Sequence, residues 1–335
     1  MLCNEEPEII KLSSGKVGLN GVSYLAMNQW QVAALAPPHL SAMCVWEGCS
    51  DFYREFYRQG GIHSLFGDLW YNKYILPVQH GLGERGWKSN INGEWVSGPN
   101  PLSDAELAAN RNDWREATRA NPLASDDFWT SRLPDFVKIQ VPLLSSANWG
   151  GQGLHLRGNV EGYLNAASPQ KWLNFHCLEH WTEFYTQRGI DLQKKFFGHF
   201  LKGEDTGWGH EPRVSFQLRH PTQAPTQKSA AQWPPEFVKF ETFHLNPTTA
   251  SLAPEEYAST STLRYLANAC GLLIRRSLVR AQVEEQQKLI KTTTYLVVFI
   301  LSVNCTYIAH KCHRHTTLDA CKIAICVYQP LKPLL

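Results

Sequence analysis

With 335 residues, 43% apolar and 19% charged, the chain has enough material for a sizeable core in one large or two smaller domains. A formal charge of +2 argues against a nucleic-acid partner chosen by bulk electrostatics. The N-terminal residues show neither the basic start nor the apolar run of a secretion signal, so a cytoplasmic protein with reduced cysteines is expected.

Residues 16–22 read as a short apolar strand and residues 24–35 as a helix, with Gly21-Val22-Ser23 at the turn between them. A strand, a tight turn and a helix are how an α/β-hydrolase pushes a serine hydroxyl into a cleft at strained backbone angles. Gly21 stands where a side chain would collide with the following helix. Leu25 occupies the place of the second glycine of G-x-S-x-G. Pro37-Pro38 stops the helix, because proline lacks the amide hydrogen and its predecessor avoids helical angles. Residues 40–46 read as a second buried strand, followed by Glu47-Gly48 and then Asp51.

Pro, Gly and Asn break the pattern from residue 61 to 135, apart from a helical stretch at 103–120 that starts at Ser103-Asp104. This predicts a mostly helical cap insertion over the cleft. Residues 137–144 are expected as a third strand, with 145–149 leading into Gly150-Gly-Gln-Gly153. Residues 170–176 form a fourth strand that delivers His180, and a helix at 191–201 closes the unit. The glycine cluster has neither the spacing nor the following signals of a nucleotide site, so no cofactor is expected. Past residue 206, period-two apolar spacing at 213–219 and 237–245 predicts antiparallel strands of a separate β domain.

Residues 265–335 differ in texture. All twelve tryptophans lie at or before Trp233, while five of the nine cysteines fall between Cys270 and Cys326. The apolar run 295–303 is about half of the roughly twenty residues a membrane helix needs, which favours a buried strand or helix or an irregular tail. His310, His313 and His315 with Cys321 and Cys326 could be drawn around zinc. Their spacing fits no familiar finger, and no metal is expected.

Taken together, Gly21-Val-Ser-Tyr24, Trp46-Glu-Gly with Asp51, Tyr53 and Arg54, Gly60-Gly61, Val141-Pro-Leu-Leu144 through Asn148-Trp149, and Glu179-His-Trp181 resemble the CocE/NonD hydrolases. These are related to cocaine esterase and to Xaa-Pro dipeptidyl-peptidases, and the resemblance covers about residues 14 to 250. It implies a partial α/β-hydrolase sheet over residues 1–60 and 136–205, a helical cap insertion at 61–135, an incomplete β jelly-roll at 206–264 and a tail without resemblance. It also implies cleavage of a small-molecule acyl ester or a peptide through a Ser-Asp-His triad.

Carried over by position, Ser23 matches the nucleophile and His180 the general base that takes its proton. The backbone N–H of Tyr24 would supply one oxyanion-hole donor. The family's aspartate aligns near Gly151, which has no side chain. Glu47, Asp51, Glu161 (in the loop beyond the glycines) and Glu179 are substitutes, with Glu47 favoured because Asp51 matches a position taken as structural. The aromatic residues Tyr24, Trp46, Tyr53, Tyr57, Trp70, Trp149 and Trp181 could line an acyl pocket or simply be core.

Family members also carry a longer segment ahead of the elbow and a complete jelly-roll. A truncated reading frame is therefore expected, with the elbow strand left open to pairing with a second copy. Three readings remain open: an acyl-transferring serine hydrolase, a catalytically inactive or interaction protein on the same scaffold, or a chain whose apolar tail anchors it to a membrane or a partner.

Overall fold

The computed structural model describes residues 13–150, 154–220, 222–246, 251–253, 300–303 and 322–327. Its first elements are β1 (Val17–Val22), α1 (Tyr24–Ala34) and β2 (Leu40–Trp46). Later in the chain come β3 (Leu143–Asn148), α2 (Leu156–Asn165), β4 (Lys171–His176), α3 (Gln187–Phe197), β5 (Val214–Leu218) and β6 (Thr226–Ala230). The six strands form one sheet in sequence order. The first five are parallel and β6 is antiparallel to β5. Parallel neighbours cannot be joined by tight turns, so a crossover lies between each pair.

Covering both faces of a parallel sheet buries its central strands on both sides. Period-two alternation then divides β2 between two cores. Met43 and Val45 pack with Ala26, Trp30 and Ala33 of α1 and with Leu143. Ala42, Cys44 and Trp46 pack with Leu144, Trp172, Phe196 of α3 and Trp208. Farther along the sheet, Phe175, Val214, Phe216 and Trp233 close a third cluster.

Residues Asp51–Leu133 form a second compact unit. Aromatic contacts hold it together: Tyr57 lies against Trp129 and Trp114, and Phe56 against Phe66. The stretch expected as one helix at 103–120 is two, Asp104–Ala109 and Trp114–Ala120. Ser103 caps the first in a reciprocal box with Glu106, and the Asp113 carboxylate caps the second. Each capping side chain offers the backbone a partner that starts a new helix, which is why one composition gives two elements.

Three other expectations are corrected. The strand expected at 137–144 starts later, at Leu143: Phe136–Lys138 is a short 3-10 turn, and pairing begins just past Pro142, which has no N–H for the ladder. The helix expected at 191–201 starts at Gln187, because the Thr186 hydroxyl accepts from the Gly189 N–H and caps it. Val214–Leu218 does not open a separate β domain. It pairs with β4 at Leu173↔Val214 and extends the main sheet.

A four-stranded antiparallel sheet contains β7 (Lys239–Asn246), β8 (Ser251–Ala253), β9 (Ile300–Val303) and β10 (Lys322–Val327), in the order β8-β7-β10-β9. The last four residues of the apolar run 295–303 thus form a strand, while 295–299 lie outside the described residues, as do His310, His313, His315 and Cys321. Among the described residues no helix is long and apolar enough to cross a membrane.

Gly162 of α2 offers a test of this packing. A Cβ there would lie 2.3 Å from the ring of Trp30, which is fully buried and cannot yield. Alanine gains up to about 1 kcal/mol of helix propensity, whereas overpacking costs about 1–3 kcal/mol. Gly162→Ala is therefore expected to lower the urea midpoint without changing the slope of the transition.

Candidate active site

Ser23 links β1 to α1 at φ 61°, ψ −127°. A side chain on Gly21 would place its Cβ 2.7 Å from Leu25 Cβ, so the glycine is required by close approach. Leu25, in place of the second glycine, points out and is 55% exposed, so the elbow forms without that glycine. Glu47 (φ 50°) and Trp181 (φ 57°) also have left-handed backbone. Three of the five described non-glycine residues with positive φ therefore gather at one edge of the sheet. Such strain costs about 1–3 kcal/mol per residue and persists where the surroundings enforce it.

Strand register explains the gathering. Val22 pairs with Trp46, and the Ser23 N–H donates to the Trp46 carbonyl at 3.1 Å. Ser23 and Glu47 thus leave neighbouring strand ends. The Glu47 N–H donates to the Ser146 carbonyl at 2.8 Å, and Asn148 pairs with His176.

The Glu47 side chain is fully buried. It accepts hydrogen bonds from Asn148 Nδ2 (3.3 Å), the Trp181 N–H (3.1 Å) and His180 Nδ1. His176 Nε2 lies 3.3 Å from Oε1 at ion-pair distance, without the alignment of a hydrogen bond. Burial pushes the carboxyl pKa up, but the contacts and charge of His176 and His180 outweigh it and bring it down to about 2. Glu47 is thus ionised. Facing an ionised carboxylate, His180 donates its Nδ1–H to Glu47.

Ser23 Oγ lies 3.3 Å from Nε2 of His155, a residue that sequence reasoning did not select. His155 precedes α2 and is 1% exposed, with Nδ1 accepting the Cys49 N–H at 3.2 Å. Its ring stacks on that of His180 at 5.2 Å between centroids. Burial, reinforced by the nearby His180 and only partly opposed by Glu47, lowers its pKa to about 3. The available signal was a histidine two residues past the glycine cluster at a helix entrance. That signal is weak, because the family pattern places a carboxylate and not a histidine in this stretch.

The remaining candidates lie elsewhere. Asp51 accepts from the Arg54 N–H and starts the turn Phe52–Tyr57. Glu161, expected in a loop, sits within α2, a helix that the sequence reading did not foresee, beside Arg157 and Asn165. Glu179 is exposed, and Gly151 lies outside the described residues. Tyr24 is the first residue of α1, where backbone N–H groups have no partner within the helix. Of the aromatic candidates, Trp46 is core and Trp149 stacks on Phe175, while Tyr24 and Trp181 are each 56% exposed.

A largely parallel sheet crossed by helices, with a strained serine between strand and helix, defines an α/β-hydrolase. The family model described as X-Pro dipeptidyl-peptidase (S15 family) matches residues 9–182, and the chain belongs to that family. A CocE/NonD family hydrolase from Staphylococcus aureus is 34% identical, with a TM-score of 0.61 over 76% of this chain and 41% of its own. An aminopeptidase from a marine-sediment Thaumarchaeota archaeon (19% identity, TM-score 0.53) shares the fold over 80% of this chain and 47% of its own. So does an α-amino acid ester hydrolase (13% identity, TM-score 0.51) over 78% and 47%. The chain thus spans less than half the length of these structures. Comparison with curated proteins gives no match.

The Glu47 pKa sets a sign for acid stability. Its folded value of about 2 lies below the ordinary carboxyl value of 4.5, so the stabilisation is complete above the unfolded pKa and is lost as pH falls through the folded one. It amounts to roughly 3 kcal/mol. In Glu47→Gln, stability is expected to be lower at neutral pH and its decline between about pH 4.5 and pH 2 shallower, measured by urea unfolding across that range.

Proposed function

We propose that the protein hydrolyses an acyl ester or amide through an acyl-enzyme, with Ser23 as nucleophile, His180 as general base and Glu47 as the acid of the triad. The observation that carries this reading is the buried Glu47–His180 pair on the strand end beside the strained Ser23. His180 Nε2 would take the Ser23 proton as Oγ attacks the carbonyl, then return it to the leaving group. Water would release the acyl group by the same route. The Tyr24 N–H would receive the oxyanion. Glu47 would hold the Nδ1–H tautomer and stabilise the imidazolium. Contacts of this kind tighten when substrate binds.

The names of the family and of two similar structures — X-Pro dipeptidyl-peptidase, aminopeptidase and α-amino acid ester hydrolase — support aminoacyl or peptidyl substrates. We further read β7 and its partners as the opening strands of a jelly-roll. The buried thiols of Cys44 and Cys177, not joined in disulfides, fit a reducing, cytoplasmic setting.

A fluorophosphonate probe is expected to label Ser23, with labelling abolished in Ser23→Ala. In His180→Asn and Glu47→Gln the rate should fall by about 10²–10⁴-fold. Hydrolysis of short-chain esters and of Xaa-Pro anilides would then assign the bond. A folded wild-type protein that resists the probe would favour the interaction-protein reading instead.

A further inference from the structure

Residues 155 and 159 stand one helical turn apart at the start of α2, and each receives one of two successive backbone N–H groups that follow Glu47. The Asn159 Oδ1 accepts from Gly48 at 3.0 Å, and His155 Nδ1 accepts from Cys49 at 3.2 Å. Asn159 is fixed in turn, because its Nδ2 donates to the Val45 carbonyl at 3.1 Å and to Ser145 Oγ at 2.9 Å. His155 and Asn159 are both essentially buried.

A nitrogen that accepts a main-chain N–H carries no proton, and a neutral imidazole carries its single proton on the other nitrogen. The tautomer of His155 assigned from this network is therefore Nε2–H, and that nitrogen faces Ser23 Oγ at 3.3 Å. Protonating Nδ1 would set a proton against the Cys49 N–H and a charge on the ring stacked with His180. His155 thus has no lone pair to offer the serine.

We propose that His155 is a positioning residue, protonated at Nε2 alone, that holds Ser23 Oγ as an acceptor and so directs the hydroxyl proton toward His180. The direction toward His180 rests on the hydrolase reading above, whereas the tautomer does not. As Oγ bonds to the acyl carbon, its proton passes to His180 and the negative charge to the carbonyl oxygen, so His155 acts on the orientation of the hydroxyl, where a misplacement of about 1 Å costs about 10²-fold in rate.

Two variants and a spectrum test this in the full chain. His155→Phe keeps the ring and its stacking but removes the donor. His155→Gln returns a donor near the Nε2 position. The rate of fluorophosphonate labelling is expected to fall about 10²-fold in His155→Phe and to recover at least about tenfold in His155→Gln, with thermal unfolding followed beside it. In the wild type, long-range ¹⁵N–¹H correlation should show His155 as the Nε2–H form throughout about pH 5 to pH 8, with the Nε2 proton resonance moved by Ser23→Ala.

Labelling of His155→Phe at the wild-type rate overturns the proposal. So does a His155 protonated at Nδ1 or titrating within that range. Loss of labelling in both variants with a wild-type thermal transition also counts against it, since the returned donor should restore the rate. A wild type that does not label at Ser23 breaks the hydrolase reading and the role with it, and the spectrum then decides the tautomer separately.

Discussion

A carboxylate shut away from water must draw its hydrogen bonds from the protein, and around Glu47 that requirement ties the strand ends of the site together. Its donors come from the last residue of β3 (Asn148) and from the segment after β4 (His180 and Trp181), with His176 at the end of β4 alongside. The main chain of Glu47 itself is bonded to Ser146. Burying an ion without such partners costs several kcal/mol, so the loops that supply them are held to the positions that satisfy it. The left-handed backbone at Glu47 and Trp181 fits this constraint, because the turns must bring a side chain and an N–H to one point.

The two imidazoles near Ser23 differ because only one of them faces that carboxylate. His180 donates to Glu47 and is partly exposed, whereas His155 is enclosed and receives a main-chain N–H. Identical side chains stacked on each other thereby have opposite partners at Nδ1: an acceptor carboxylate for His180 and a main-chain donor for His155. Environment rather than residue type makes the assignment. Burial also disfavours the charged form of His155, which keeps a positive charge off the ring stacked on His180.

Much of this was legible in the sequence where one local rule decided the outcome. The turn at Gly21-Val22-Ser23, the proline stop after α1 and the apolar run of β2 each depend on residues within a few positions. Glu47 could be singled out because a residue at the end of a strand adjoining the elbow must lie near it. What escaped depended on partners distant in sequence. Residue 155 is recognisable only through Cys49 and Ser23, more than a hundred positions away. Val214–Leu218 alternates like a free-standing antiparallel strand. Nothing within it says that its partner is β4.

Strain at Ser23 has to be opposed from somewhere, and the described residues show from which side. β1 pairs with β2 alone, so its ladder restrains one edge only. The rest comes from its two faces: Leu19 packs against the cluster built on α1, and α3 with the turn after it covers the other side. A Cβ on Gly18 would meet Leu201 and Phe197 at 2.7 and 2.8 Å, Asn20 Nδ2 donates to Gln193 at 2.8 Å, and Lys16 Nζ donates to the Phe200 carbonyl at 3.1 Å. Packing this close allows β1 little sideways movement, and the Ser23 N–H is tied to the end of β2. A strand held along one edge and on both faces can therefore carry a strained turn at its end, because relaxing the turn would mean sliding β1 against all of them.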